Sequence, residues 1–568
     1  MSRTLTPRST IEALRKEAKR LRKAVEAVDP RATARFRAVF PLHAGAVTLR
    51  EAQQALAREH GFASWAALKQ EIEDRARSHE ERVRRFLEKS VHRYGTNPGT
   101  RQWGDYERDG PARGALAARL LVRHPEIAQH DIHTAVAAHD VDAVRGFLLK
   151  DPRLVDDRHN FDGWTPLLRL AYVRLPIDAV AQNAVAIATA LLDAGADPKA
   201  AWSDEINGFT ALTGFIGGGE AGQSPHPQAE ALARLLIARG ADPLNGQALY
   251  NTSLAADDTF WLDLLWAECE KRGRTAQWRE PNPHLIGSPF DYLLGNAVPR
   301  HPKRTAWLLA HGADARAANA YSKLPVIKHA AMAGRAEVVE LLASHGAAVP
   351  QLSDEEAFVA AAMSGDLDAI RRLAAAHPDY LSSQLGVMFA AIQQDRTDVV
   401  SLLLDLGMSP DIGDDQGFRA LHYTTHCGAV ETAKLLIARG AEIDPFERRH
   451  GGTPLSHANY QKRPEMIALL VPISRNFRGL CFAGALDRVR ELLLEDPARA
   501  NREDRPGEPA LFCLPDDEDR AVDLAELLLS FGADPTFRNP LGQTPAEAAR
   551  RRGLDDAADL LSGEVAAR

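Results

Sequence analysis

The words LLIARGADP (235–243) and LLIARGAEID (435–444) stand far apart in one chain. Related words are LLDAGADP (191–198), LLAHGADA (308–315) and LLLSFGADP (527–535). In each of them a Leu-Leu pair suits the buried face of a helix, and the glycine ends that helix because it adopts the left-handed conformation at little cost. The recurring Asp-Pro then turns the chain away. A phrase that recurs so often predicts a repeated structural unit.

The glycines of these phrases recur at a period near 33 residues. Gly407 and Gly440 are 33 residues apart, and Gly312 and Gly346 are 34 apart. Longer intervals divide into similar steps when degenerate copies are admitted, which gives about thirteen repeats from roughly residue 110 to 562. Residues 245–305 form the poorest copies, so the sequence leaves open whether they stack in line.

A second word opens each repeat. TPLLRLA (165–171), TPLSHA (453–458) and TPAEAARRRG (544–553) place a capping threonine before a proline. The threonine hydroxyl accepts from a free helix N–H, and proline at the first helical position loses no hydrogen bond. Each repeat is therefore predicted to be a pair of short helices. Such a pair can bury its apolar face only against neighbouring copies.

A period near 33 residues with TPLHxA-like and LLxxGADP-like words resembles the ankyrin repeat. Residues 419–444, RALHYTTHCGAVETAKLLIARGAEID, are the best copy. The resemblance covers about four fifths of the chain. It implies an all-α fold, an α-solenoid of stacked helix pairs with hairpin-like loops on one side, and it implies binding to other proteins.

The N-terminal segment has a different pattern. Its first helix carries one apolar stripe, and capping boxes are predicted at Ser9 with Glu12 and at Thr48 with Glu51. The segment is similar to the helical leader that precedes ankyrin arrays in some bacterial proteins, and it is predicted to be a cap. The predicted domains are a leader at 1–93, a linker at 94–114, the repeat array at 115–562 and a tail at 563–568.

The leader is basic and the rest of the chain is acidic. Residues 1–50 hold 12 Lys or Arg and 4 Asp or Glu, while the whole chain has a net charge of −8. One hypothesis is that the leader binds nucleic acid or another anionic surface. The cations concerned are Arg15, Lys16, Lys19, Arg20, Arg22 and Lys23. The plainer interpretation is that the leader docks on the chain's own acidic body or is solvated.

Bulk features favour a cytoplasmic protein. Its four cysteines are far apart and include no CxxC pair, so neither a disulfide framework nor a zinc ribbon is predicted. The first residues are charged and lack the apolar core of a signal peptide. No stretch approaches the ~18 apolar residues of a membrane span.

Three patterns could carry chemistry, and each has a structural alternative. Gly217, Gly219 and Gly222 fit GxGxxG, but they follow a helical word rather than a strand. His422, His426 and Cys427 could bind a metal, although His422 belongs to the repeat word. A weaker group contains His130, Asp131 and His133, at a predicted helix start. We predict no catalytic residue, no metal and no cofactor; a site assembled from several loops stays an alternative.

The candidate binding residues lie at the projecting tips. Trp164, Phe209 and Phe418 each follow a tip glycine, and Arg419 stands beside Phe418. Exposed aromatics in a row would bind another protein, whereas packing against the neighbouring hairpin would make them structural. The first interpretation predicts that Trp164→Ala with Phe418→Ala weakens a complex and leaves the fold intact. Three insertions, 174–184, 217–227 and 514–520, fall in exposed connections and have no predicted role.

Overall fold

The structure is a computed structural model that describes residues 5, 9–43, 45–92, 111–202, 208–219, 223–254 and 256–562. Its contacts divide the chain into two compact bodies. Lobe 1 contains Met1–Arg75 and Ser353–Arg568, and lobe 2 contains Ala76–Leu352. The predicted linker residues 94–110 and the tail 563–568 lie outside the described residues.

Four helices form the leader module, most of which belongs to lobe 1. They are α1 Ile11–Glu26, α2 Pro30–Arg37, α3 Leu49–Glu59 and α4 Trp65–Ala76. The stripe of α1 is buried at Leu14, Ala18 and Leu21. The capping box of Thr48 and Glu51 is present, but Thr10 rather than Ser9 caps α1 by accepting from the Ala13 N–H.

Lobe 2 is a row of helix pairs, with one small hairpin. Its helices are α5 His79–Ser90, α6 Pro111–Arg123, α7 Ile132–Ala137, α8 Val141–Lys150, α9 Pro166–Tyr172, α10 Asp178–Asp193, α11 Ala211–Ile216, α12 Ala229–Ala238, α13 Gly246–Ser253, α14 Phe260–Lys271, α15 Pro289–Ala297, α16 Pro302–Ala310, α17 Val326–Met332 and α18 Ala336–Ser344. Strands β1 Ala201–Trp202 and β2 Phe209–Thr210 pair antiparallel, with Trp202 opposite Phe209.

Lobe 1 continues the same architecture. Its helices are α19 Asp354–Ser364, α20 Leu367–Ala376, α21 Tyr380–Ser383, α22 Leu385–Gln393, α23 Thr397–Asp405, α24 Ala420–Cys427, α25 Val430–Ala438, α26 Pro454–Tyr460, α27 Pro464–Leu470, α28 Phe477–Phe482, α29 Leu486–Glu495, α30 Glu518–Ser530, α31 Pro545–Arg551 and α32 Asp555–Leu561. Before α30 the first helix of the pair is reduced to a 3-10 turn at Ala510–Phe512.

The residues of the two repeat motifs cap and end the helices as the sequence predicts. Thr165 accepts from the Leu168 N–H and Pro166 is the first residue of α9, while Thr544 with Glu547 forms a capping box on α31. Gly240 follows α12 with φ +109, a conformation that costs glycine little. The all-α fold of stacked helix pairs is therefore confirmed. The poor copies also stack, since α13 packs on both α11 and α15.

The leader module lies on the last repeats of lobe 1. Helix α3 packs against α30, and leader side chains share one apolar core with Leu524, Leu528 and Leu561. Terminal repeats need a cover over their apolar flank. The N-terminal residues thus cover the C-terminal repeats, an arrangement that sequence order does not suggest.

Candidate functional site

In lobe 2 the predicted tip residues are largely packed. Trp164 is only 3% exposed, with its ring 5.3 Å from Tyr172 and 5.0 Å from Trp202. Phe209 is half-buried and stacks on Trp202 at 5.0 Å. Of the two interpretations, the burial of Trp164 agrees with the structural one, because the hairpin β1–β2 brings Trp202 over its face. A role of Phe209 in binding stays a prediction.

Trp164 also covers a buried ion pair. The Arg169 side chain, fully buried, donates to both oxygens of Asp162 at 2.8 and 2.9 Å. Arg169 Nε donates to His133 Nδ1, and the Arg169 guanidinium lies 5.8 Å from the Trp164 ring. Burial, followed by the charge of Arg169, lowers the pKa of His133 to about 2. This network holds the first repeats together and presents no reactive group to solvent.

The weaker histidine group is structural as well. Asp131 is the N-cap of α7 and accepts from the Thr134 N–H at 2.7 Å, which confirms the predicted helix start. His133 is buried against Asp157 at 3.1 Å, while His130 lies on the surface, 3.1 Å from His79. The side chains therefore point to different surroundings.

In lobe 1 the tip residues remain partly open. The Phe418 ring lies 5.3 Å from His422, 5.8 Å from His457 and 6.1 Å from Phe389. Its neighbour Arg419 lies 3.5 Å from an oxygen of Asp411 and 3.3 Å from one of Glu442. Both tip residues are half-buried, so each keeps one accessible side. Whether they bind a partner stays a prediction.

Aromatic side chains continue from Phe418 along three successive first helices, α22, α24 and α26, which pack side by side. Phe389 and Tyr423 stack at 4.3 Å, and Tyr423 lies 6.1 Å from the exposed His426. The last of the row is Tyr460, which is 81% exposed. We call Phe389, Phe418, Tyr423, His426 and Tyr460 the aromatic surface.

The hairpin beside the aromatic surface presents a further exposed ring. Phe446 is 62% exposed. The hairpin is held from below by Glu447, which is buried and accepts from the His450 N–H at 3.0 Å and lies 3.1 Å from His457 Nε2. These hydrogen bonds lower the pKa of Glu447 although its burial opposes them. Sequence analysis missed Tyr460 and Phe446, yet Tyr460 directly follows the word TPLSHAN, where first helices end at the surface.

His422 takes no part in a metal pair. It is fully buried, its Nδ1 accepts from the Arg419 N–H at 3.1 Å, and its Nε2 donates to the Gly452 carbonyl at 3.4 Å. Burial lowers its pKa to about 4. His426 instead lies at the surface against Gln461. Within the described ranges, no group of three or more His, Cys, Asp or Glu side chains could hold a metal ion.

In the described part of the glycine-rich loop, the backbone N–H groups of Gly217, Gly218 and Gly219 are used within the fold. The loop follows α11, and the Gly218 N–H donates to the Gln223 carbonyl at 2.7 Å while the Gly219 N–H donates to the Asn251 carbonyl at 3.2 Å. A Cβ at Gly218 would come within 2.6 Å of that Asn251 oxygen, so glycine is required by close packing. Gly222 lies outside the described residues. The loop is an insertion between helices, as its context indicated.

Some cationic side chains of α1 form ion pairs within lobe 1. Arg15 pairs with Asp556 and Asp559, and Arg22 pairs with Glu526 at 2.7 Å. These cations therefore contact carboxylates of the chain's own last repeats, as the plainer interpretation holds, and would have to exchange partners to bind phosphates. Among the described residues, no helix is long and apolar enough to cross a bilayer.

The fold defines a class of protein, an array of helix pairs. In lobe 1 the first helices and hairpin tips of these pairs form an exposed face whose side chains already pack against one another. The family follows from comparison. Residues 358–447 and 387–478, which include the aromatic surface, match the family model described as Ankyrin repeats (3 copies). The chain therefore contains ankyrin repeats, as its sequence motifs indicated. Ankyrin repeats are, in general, modules of protein–protein interaction rather than catalysis.

Parts of the chain are similar to known proteins. The putative ankyrin repeat protein YahD of Escherichia coli (strain K12) is 27% identical over 185 residues, 30% of this chain and 92% of YahD. The E3 ubiquitin-protein ligase XB3 of Oryza sativa subsp. japonica is 32% identical over 114 residues, 19% of this chain. The chain spans only 25% of the ligase's length. An ankyrin repeat domain from Acinetobacter baumannii AYE matches with 22% identity and a TM-score of 0.26, covering 32% of this chain and 98% of that domain.

Proposed function

We propose that this chain is a non-enzymatic interaction protein that binds another protein through the aromatic surface of lobe 1. The observation that carries the proposal is the exposure of Tyr460 and Phe446, at 81% and 62%, beside a stacked row of aromatic rings. Aromatic side chains are enriched among the residues that contribute most to binding. Exposed apolar groups clustered on one face also mark interaction sites more often than scattered ones do.

The surface beneath these rings is already ordered. Phe418 rests on the buried His422, and Glu447 anchors the hairpin that carries Phe446. A partner would therefore meet a face whose backbone needs little rearrangement, which lowers the entropic cost of association. Arg419, between Asp411 and Glu442, adds charge at the edge of the aromatic surface and suits a polar rim on the partner.

The double change Tyr460→Ala with Phe446→Ala tests the proposal. We expect the affinity for the native partner to fall on the order of 30-fold, because truncating a central aromatic contact costs about 2 kcal/mol. The partner is isolated from native cells by affinity capture with the wild-type chain and identified by mass spectrometry. Its dissociation constant is then measured by calorimetry with each purified variant.

Leu494→Ala is the matched control, since Leu494 is 69% exposed and lies on α29, the second helix of its pair. It should leave the affinity unchanged. If the control weakens binding as much as the double change does, the aromatic surface is not the site. Equal affinity of the double variant and the wild type would lead to the same conclusion.

A further inference from the structure

The leader module is held to the last repeats by a ring of ion pairs. Arg22 and Arg50 meet Glu526 and Asp523, each at 2.7 Å. Lys69 pairs with Glu518 and lies 3.0 Å from Asp556, which is only 4% exposed. Further contacts are the Arg15 pairs and a 3.0 Å hydrogen bond that the Trp65 indole N–H donates to Asp556. We call α30 and α32, with these carboxylates, the docking face.

A separate set of contacts holds the leader module together. Arg35 joins Glu17 of α1 at 2.9 Å and Glu59 of α3 at 2.8 Å, while Phe36 stacks on Phe40 at 5.0 Å. Helix α3 also packs along α1. The ion pairs and ring contacts among α1, α2 and α3 use different side chains from the ion pairs of docking. Leaving the docking face would therefore keep these internal contacts, while the apolar core that the module shares with the last repeats would separate.

No short covalent connection ties the module to the face it covers. Arg15 and Asp556 are 541 residues apart in sequence, and the chain between them passes through all of lobe 2. Docking thus depends on non-covalent contacts alone. Undocking would divide the apolar core that leader residues such as Leu14 and Trp65 share with Leu524 and Leu528 of α30. Two complementary apolar surfaces left bare in water favour re-docking.

We propose that the docking face also accepts the leader module of a second copy of this chain, so that two copies exchange leaders and form a closed dimer. A second copy carries the same cations and the same Trp65, so the exchanged interface repeats every contact of the intramolecular one. Exchange of an identical element between protomers is a low-cost route to dimers for that reason. Intramolecular docking prevails in dilute solution because a chain's own leader has a high effective concentration.

Charge reversal distinguishes docking within one chain from exchange of leader modules between two chains. One full-length variant carries Arg22→Glu and Arg50→Glu, and the other carries Asp523→Arg and Glu526→Arg. In each variant alone, the leader and its own docking face repel one another. Mixed in equal amounts, the reversed leader fits the reversed face, and the native leader fits the native face. We expect the mixture to form a complex of twice the monomer mass by light scattering, on the order of tenfold more abundant than in either variant alone.

Two further measurements keep the test decisive. A chain that carries all four changes restores both pairs internally and should be a folded monomer by circular dichroism and light scattering. Isotopically heavy and light wild-type chains, held together at high concentration, should give mixed dimers in native mass spectrometry. A mixture that stays monomeric while the four-change chain is folded would overturn the proposal. So would wild-type chains that never exchange.

Discussion

Replacing Trp164 with alanine should destabilise the first repeats of lobe 2 by about 3–5 kcal/mol, the usual cost of truncating a buried aromatic side chain to alanine. The ring is 3% exposed and lies between Tyr172 and Trp202. Its loss opens a cavity and uncovers the buried pair of Arg169 and Asp162. Urea unfolding followed by circular dichroism measures the effect. Hydrogen exchange of peptides from residues 132–216 locates it.

Two further substitutions serve as controls for Trp164→Ala. Trp164→Phe keeps most of the ring and should recover a large part of the lost stability. Phe446→Ala removes an exposed aromatic of lobe 1 and should change the free energy of unfolding by no more than about 0.5 kcal/mol. If Trp164→Ala unfolds with the wild-type midpoint, the ring does not stabilise lobe 2 by packing between Tyr172 and Trp202. In that case, Trp164 would again be a candidate for binding a partner.

Trp164 shows where reasoning from repeats ends. The repeat words predicted α9 and its cap at Thr165, since helix capping and periodicity are local properties of the sequence. The exposure of a tip residue is not local. It depends on whether the next hairpin brings a large side chain over it, and here Trp202 of β1 does so. Phe418 also has a ring of the next repeat beside it, His457 at 5.8 Å, yet it remains half-buried.

The leader module shows that contacts between residues far apart in the sequence are harder to predict. Its first helix and the Thr48 capping box were predicted from the sequence, whereas α2 was not, and its positive charge against an acidic chain indicated docking in general terms. The particular partners, such as Asp556 for Arg15, could not be predicted because they lie 541 residues away. Period and composition carry no information on such a pairing. Tyr460 is an intermediate case. Its position after the motif TPLSHAN could be identified in the sequence, but its exposure to solvent could not.

Mild acid should destabilise lobe 2 through its buried histidines. Burial lowers the pKa of His226 to about 3 and of His139 to about 4, and the positive charge of Arg174 acts in the same direction. The pKa of His133 is about 2, for the reasons given above. The Nε2 atoms of His139 and His226 have no hydrogen-bond partner among the described residues, so protonation would leave a buried charge unmatched.

The direction of this pH effect follows from the linkage between proton binding and folding. Below the ordinary imidazole pKa near 6.5, the unfolded chain binds protons that the folded chain does not, so stability falls as the pH falls. The stability is complete above about pH 7.5 and is lost progressively toward the folded pKa values. Between pH 7.5 and 5 each of the three imidazoles should lower the free energy of unfolding by about 2 kcal/mol. Urea titrations at the two pH values measure the total change, to which other buried histidines such as His92 also contribute.

His226→Gln isolates one of these contributions. Glutamine can still accept the Gln228 N–H, which His226 Nδ1 accepts at 3.0 Å, but it does not titrate. The difference in stability between pH 7.5 and 5 should therefore shrink by about 2 kcal/mol. His345→Gln, at an exposed position, should leave that difference as it is in the wild type. If both variants keep the wild-type pH dependence, His226 is not the source of acid sensitivity, because a neutral glutamine cannot reproduce the proton uptake of an unfolded histidine.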